Sequence, residues 1–291
     1  MIKEVSYKVL KEHDGLSIKE ILKSFYVGKG KIEEIRVNHL AYLNSKQVDI
    51  ETKVKENDII DFYSLGIKKY PSIVKDIDIL YEDDSLLIVF KPKGLLVHDD
   101  GNNEDNLVGR IQYYFDVNNI NKEIYIVHRL DYLTSGIIIF CKDFLSQSLI
   151  NHQLENHDIT RLYLALVEGK LLKKEGIIDA PIGKDRHDSK KYRVSDSPKA
   201  KESKTSYKVE KILKDKTLVK LKLFTGRTHQ IRVHMAYIGH PLVDDKLYNL
   251  KAKNDNFFLH SYELIMKHPI NKKDIHIVCE LPNSFKKKME N

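Results

Sequence analysis

Two cysteines, Cys141 and Cys279, are too few for a disulfide framework or a four-cysteine zinc site. Both lie in apolar, strand-like surroundings that suit small buried hydrophobes. No apolar run approaches the roughly 18 residues that span a bilayer. The longest, Ile137-Ile138-Ile139-Phe140-Cys141, is strand-sized. The opening Met1-Ile2-Lys3-Glu4-Val5 is charged where an export signal needs an apolar stretch, so the expectation is a cytoplasmic protein without membrane association. No His-Glu-x-x-His string occurs, and His229, His234 and His240 are spaced by five and six, which places no pair on one helical face. A metal-dependent hydrolase is therefore disfavoured. Gly28-x-Gly30-Lys31 lacks the strand, spacing and Ser/Thr of an NTPase phosphate loop.

What is present is a chain of 291 residues, long enough for one sizeable domain and a small one. Hydrophobic residues at 42% and charged residues at 31% allow both a core and a solvated surface. An excess of 49 basic over 42 acidic residues gives +7, which suits a polyanionic partner.

Residues 1–65 read as a separate unit. Leu16, Ile18, Ile21, Leu22 and Phe25 recur at helical spacing, followed by a basic turn at Gly28-Lys29-Gly30-Lys31. Short segments around Ile35, Val37, Tyr42-Leu43-Asn44, Gln47-Val48 and 58–62 come next. Residues 66–72, with Lys68-Lys69, read as a linker to a main domain over 73–291. There the pattern predicts strands over 85–90, 123–127, 136–142 and 162–167, and a hairpin over 205–213 and 217–224. It predicts helices over 143–156 and 228–238. Residues 184–204 carry eight Lys or Arg against four Asp or Glu, as either a solvated loop or an RNA-facing arm.

The most informative segment is His128-Arg129-Leu130-Asp131-Tyr132-Leu133-Thr134-Ser135-Gly136, a loop between two predicted strands. Such loops, held by a rigid sheet, commonly carry catalytic groups. This string resembles the signature of RluA-type pseudouridine synthases. Three further segments resemble the same family in the same order: 91–98 (Lys91-Pro92-Lys93-Gly94 onward), 161–169 around Tyr163, and 226–235 (Gly226-Arg227-Thr228-His229-Gln230-Ile231-Arg232 onward), the last followed by Gly239-His240-Pro241-Leu242. The first 65 residues loosely resemble the small αL RNA-binding motif.

The resemblance implies an α+β pseudouridine synthase fold with a mixed, largely antiparallel central sheet. It implies Asp131 as catalytic carboxylate, Arg227 as its ionic partner, and Tyr163 as a ring that stacks on the target base and shuttles a proton. Arg129 would contact RNA or fill the space of a flipped nucleotide, and Lys91 and Lys93 would hold phosphates. The motif residues His128, Thr134, His229, Gln230 and Arg232 are also expected at RNA-binding positions. The partner is RNA, ribosomal RNA favoured and transfer RNA possible, acted on by a monomer.

The chemistry agrees with that set. Uridine becomes pseudouridine when the C1′–N1 bond breaks, the base turns, and C5 rejoins C1′. Nothing is oxidised and no phosphate moves, so no cofactor or metal is expected. A carboxylate must attack or stabilise the sugar, a cation must sit beside it, and a base must take a proton. Departures from the family pattern are Asp99-Asp100, Tyr132, Leu133, Asp244 and Asn249, all loop positions. The alternative reading is an RNA-binding protein on the same fold without catalysis. Its mark would be loss of Asp131, Tyr163 or Arg227, and all three are present.

Overall fold

A computed structural model of the chain describes residues 1–101 and 105–290. The amino-terminal unit holds β1 (Ile2–Lys8), α1 (Ile18–Ser24), α2 (Lys29–Val37), β2 (Ala41–Leu43), β3 (Lys46–Gln47) and β4 (Ile59–Ser64). Its strands form an antiparallel sheet in the order β1-β4-β2-β3. Helix α1 starts at Ser17, whose side chain accepts from the Glu20 amide while Glu20 reaches back to the Ser17 amide. The basic stretch Gly28–Lys31 is not a turn: Gly28 caps α2, and Ile32 and Ile35 bury one side of that helix. Two apolar residues three apart are a faint helical signal, and they had suggested short segments instead. Strand β1 was not anticipated, because a register shift between Lys3 and Val5 breaks its alternation and buries Glu4.

The main domain continues with β5 (Asp78–Glu82), β6 (Leu86–Lys91), α3 (Leu107–Val117), β7 (Tyr125–Ile126), β8 (Ser135–Cys141) and α4 (Phe144–Glu155). Then come β9 (Thr160–Glu168), β10 (Glu175–Asp179), β11 (Ile182–Lys184), β12 (Tyr192–Val194), β13 (Lys204–Ile212) and β14 (Lys216–Leu223). Last are α5 (Gln230–Tyr237), β15 (Leu259–Lys267), β16 (Asp274–Val278) and α6 (Asn283–Glu290). The central sheet runs β10-β13-β14-β9-β15-β8-β6-β5, with β16 added on β15 and β7 on β8. It is mixed and largely antiparallel, as expected: among its described strands only β15 and β8 pair in parallel. Leu87, Val89, Ile138 and Phe140 bury one face with α3 and α5, while Leu86, Ile88, Ile137 and Ile139 bury the other. Burial on both faces explains the unbroken apolar run at 137–141.

The two units share a core. Phe144, Leu145 and Leu149 of α4 pack in one cluster with Ile18, Ile21, Phe25 and Phe62. The segment 66–72 is fastened as well: the Tyr70 amide donates to Gln112, and Lys69 and Ser72 reach Asp116. Part of the basic stretch 184–204 is an ordered hairpin, β11 with β12, and the lysine-rich end is helical with Phe285 buried.

The parallel pair β8–β15 accounts for the glycine that ends the longest motif. Gly136 pairs with Ser261 at φ +114°, and a Cβ there would lie 2.2 Å from the Ser261 carbonyl oxygen. Gly136→Ala therefore costs about 3–5 kcal/mol in strain and displaced backbone. Gly66→Ala, which meets nothing within 4 Å, stays within about 0.5 kcal/mol of wild type. Urea unfolding measures both, and a Gly136→Ala protein as stable as wild type would contradict this account of the strand pair.

Candidate active site

The loop between β7 and β8 carries Asp131 to the junction of two cavities. One, of about 510 Å³, is lined by His128, Arg129, Arg161, Tyr163 and Arg227 as well as Asp131. The other, of about 280 Å³, is lined by His98, Arg129, Asp131, His229, Arg232 and Phe257. Strand β9 brings Tyr163, which is 4% exposed, and α5 brings Arg232. Burial raises the Tyr163 hydroxyl above its ordinary value, against Arg161 and a Ser261 hydrogen bond.

The ionic partner of Asp131 is Arg232. Its Nη1 lies 3.6 Å from an Asp131 oxygen, while Nε and Nη2 each donate to Asp245 at 2.8 Å. Asp245 is fully buried and accepts from the Leu247 and Tyr248 amides too. The guanidinium also lies over two rings, 5.0 Å from the centre of Tyr248 and 4.3 Å from that of Phe257. A bidentate pair of this kind, packed against aromatic rings, fixes the cation in one orientation, and its Nη1 is left to Asp131. The arrangement can present a carboxylate to an electrophilic carbon across from an aromatic ring.

The family model for RNA pseudouridylate synthases matches residues 85–237, a span holding Asp131, Tyr163, Arg227 and Arg232. The chain is 39% identical over 260 residues to the "uncharacterized RNA pseudouridine synthase YhcT" of Bacillus subtilis, covering 86% of this chain and 82% of that one. The chain belongs to the RNA pseudouridylate synthase family. It is 34% identical over 226 residues to "ribosomal large subunit pseudouridine synthase D" of Vibrio cholerae, covering 72% of this chain and 68% of the relative. A solved structure, "Human RNA Pseudouridylate Synthase Domain Containing 4", shares the fold at a TM-score of 0.61 and 23% identity, over 73% of this chain and 92% of that chain. As an RluA-type pseudouridine synthase the chain is an isomerase acting on uridine in RNA.

Within this family frame several motif residues hold the pseudouridine synthase site together from behind. The pairing expected of Arg227 falls to Arg232, because Arg227 lies exposed on the cleft rim with its Nε donating to the Glu202 carbonyl. Lys91 is not placed to hold a phosphate. It is fully buried, and its ammonium donates to the carbonyls of Pro92, Leu95 and Tyr132. Gly94, at φ +77°, donates its amide to the same Tyr132 carbonyl, so the first motif clamps the loop that carries Asp131. Lys93 is likewise occupied, by the carbonyls of Asn256 and Phe257.

Gln230 is buried and saturated: it accepts from Thr225 and the Arg227 amide and donates to the Lys204 carbonyl and Thr205. Thr134 is buried beneath the loop, its amide donating to the Asp131 carbonyl. His128 accepts from the Ile139 amide, and burial and Arg161 push it down to about 3, so it is neutral. His229 contacts the Tyr248 hydroxyl at 2.9 Å and borders the smaller cavity. Arg129 is exposed and lines both cavities. Sequence reasoning gave no role to Asp245 or Tyr248, although a buried arginine demands a buried carboxylate. Asp244, where the family favours glycine, sits at φ +58°, a conformation that aspartate tolerates.

Burial pulls the Lys91 ammonium down to about 7, with Asp131 acting in the opposite direction. The unfolded chain therefore binds more protons than the folded one between about pH 7 and the ordinary lysine value of 10.5, and stability rises with pH across that window. The contribution is complete above the upper limit and lost as pH falls through 7. Lys91→Met removes this increment, so the stability difference between wild type and variant must grow in favour of wild type from pH 7 to pH 10. A difference independent of pH in urea unfolding would contradict the burial of this lysine.

Proposed function

We propose that this enzyme converts uridines of large-subunit ribosomal RNA to pseudouridine, with Asp131 as the nucleophile and no cofactor. The observation that carries the mechanism is the opening of Asp131 and Tyr163 on the same cavity, with Arg232 fixed 3.6 Å behind the carboxylate. Asp131 attacks C1′, the C1′–N1 bond breaks, and uracil departs as an anion. The base turns, C5 bonds to C1′, and the carboxylate is released. C5 then carries one proton too many and N1 one too few. Tyr163, which burial keeps protonated, gives its proton to N1 and takes the one from C5. Reactant and product are isomers, so no electron or group need enter, and this balance supports a cofactor-free reaction.

The likeness to a relative named for the ribosomal large subunit supports the substrate. We assign residues 1–65 to RNA contact, 66–72 to a linker and 73–291 to catalysis. The small helices α1 and α2 on a four-stranded sheet support that division. Removal of residues 1–65 would uncover Phe144, Leu145 and Leu149, so point substitutions are the sounder test of the amino-terminal unit.

Tyr163→Phe separates two tasks of one ring. A uridine leaves its stack at a cost of a few kcal/mol, and an aromatic face returns ~1–3 kcal/mol, which phenylalanine supplies equally. The hydroxyl matters through proton transfer, worth about 10²–10⁴-fold in rate. Tyr163→Phe should bind RNA as wild type does and turn over at least about a hundredfold more slowly, whereas Tyr163→Ala loses both. Equal single-turnover rates for the Phe and Tyr enzymes would remove the proton relay from the mechanism.

A further inference from the structure

Arg161 stands two residues before Tyr163 on β9, so both side chains leave the same face of the sheet. Both line the 510 Å³ cavity. Its Nε is buried without a hydrogen-bond partner, and the guanidinium makes no ion pair or hydrogen bond among the described residues. Of the other basic motif residues, Arg232 is engaged by two carboxylates and Arg227, Lys91 and Lys93 by backbone carbonyls, while Arg129 lies exposed on the rim. Glu155 borders the same cavity and does not pair with Arg161. Its neighbour His128 is neutral. Gly226 lies close beside the guanidinium: a Cβ there would be 3.6 Å from Nη2 and 3.9 Å from Nη1. A planar fork of donors, half-buried and uncompensated, faces the place where the reacting nucleotide must sit.

We propose that Arg161 binds the RNA backbone phosphate beside the nucleotide that Asp131 attacks. This rests on the reading of the cleft given under Proposed function. A bound nucleotide offers a sugar, a base and a phosphate. Asp131 faces the sugar and Tyr163 the base, which leaves the phosphate as the anion still to be matched. Guanidinium suits it through two parallel N–H···O bonds. Arg129 and Arg227 are exposed on the same rim, whereas Arg161 is set deeper, where a phosphate would lose more water.

The test measures the dissociation constant for an unmodified large-subunit ribosomal RNA transcript as a function of KCl, for wild type, Arg161→Gln and Arg161→Lys, with thermal midpoints alongside. Arg161→Gln should reduce the slope of log Kd against log[KCl] by about 0.7–0.9, one phosphate contact. It should weaken binding at low salt about tenfold or more, with the midpoint kept. Arg161→Lys should restore the slope. A wild-type slope in Arg161→Gln, or a lowered midpoint with the slope unchanged, would overturn the proposal.

Phenylglyoxal labelling of the wild-type protein needs no variant: the transcript should protect Arg161, and equal labelling with and without it would count equally against the contact. Pseudouridine formed in the same transcript is counted in parallel. A wild-type protein that binds but forms none would count against the reaction assigned to the cleft, while the phosphate contact would still be decided by the slopes.

Discussion

The bidentate pair between Arg232 and Asp245 is the contact from which the geometry of the cleft follows. Both groups are buried, 5% and 0% exposed, and two charges are taken out of water only with excellent geometry. The two rings and the two amides at Asp245 supply it. Three remote segments meet at this pair: the loop before β8, helix α5 and the turn after Leu242. With Nε and Nη2 occupied, Nη1 lies 3.6 Å from Asp131, whose carboxylate borders the larger cavity. Lys91 and Gly94 hold the carbonyl of the next residue, Tyr132, so the backbone at Asp131 has little freedom. A reacting group needs that kind of support to stay within a fraction of an ångström of its working position.

The basic residues of the motifs divide by burial. Lys91 and Lys93 lie against backbone carbonyls and shape loops, Arg232 lies against carboxylates, and Arg129, Arg161 and Arg227 face the cavity. Sequence alone could not make this division, because a lysine beside a proline–glycine turn is equally suited to solvent, phosphate or a buried carbonyl cage. The same holds for Gln230, whose four hydrogen bonds tie the rim to β13.

Strands β6, β8, β9, β13 and β14 and helices α4 and α5 were legible, as in the apolar run at 137–141 or Ile231 and Met235 four apart, whereas β15, in the middle of the sheet, was not. Helix α2 and strand β1 were not, since one has only two buried isoleucines and the other a bulge at Glu4. The motif loop was legible as the link between two strands, and the reason for its glycine was not, because Ser261 approaches Gly136 from more than a hundred residues downstream. The partner of Asp131 was misassigned for a related reason. Arg227 and Arg232 stand in one motif, and only the position of α5 against Asp245, Tyr248 and Phe257 distinguishes them.

Asp131 is the group on which every step of the proposed reaction turns. The direct measurement is the single-turnover release of tritium from uracil-C5-labelled ribosomal RNA by Asp131→Asn, with RNA affinity and unfolding followed on the same preparation. The amide keeps the shape of the side chain and can neither attack C1′ nor carry the charge that Arg232 faces. The account predicts RNA binding close to wild type and no tritium release above background. Release at even about a tenth of the wild-type rate, a barrier change of only about 1.4 kcal/mol, would contradict it.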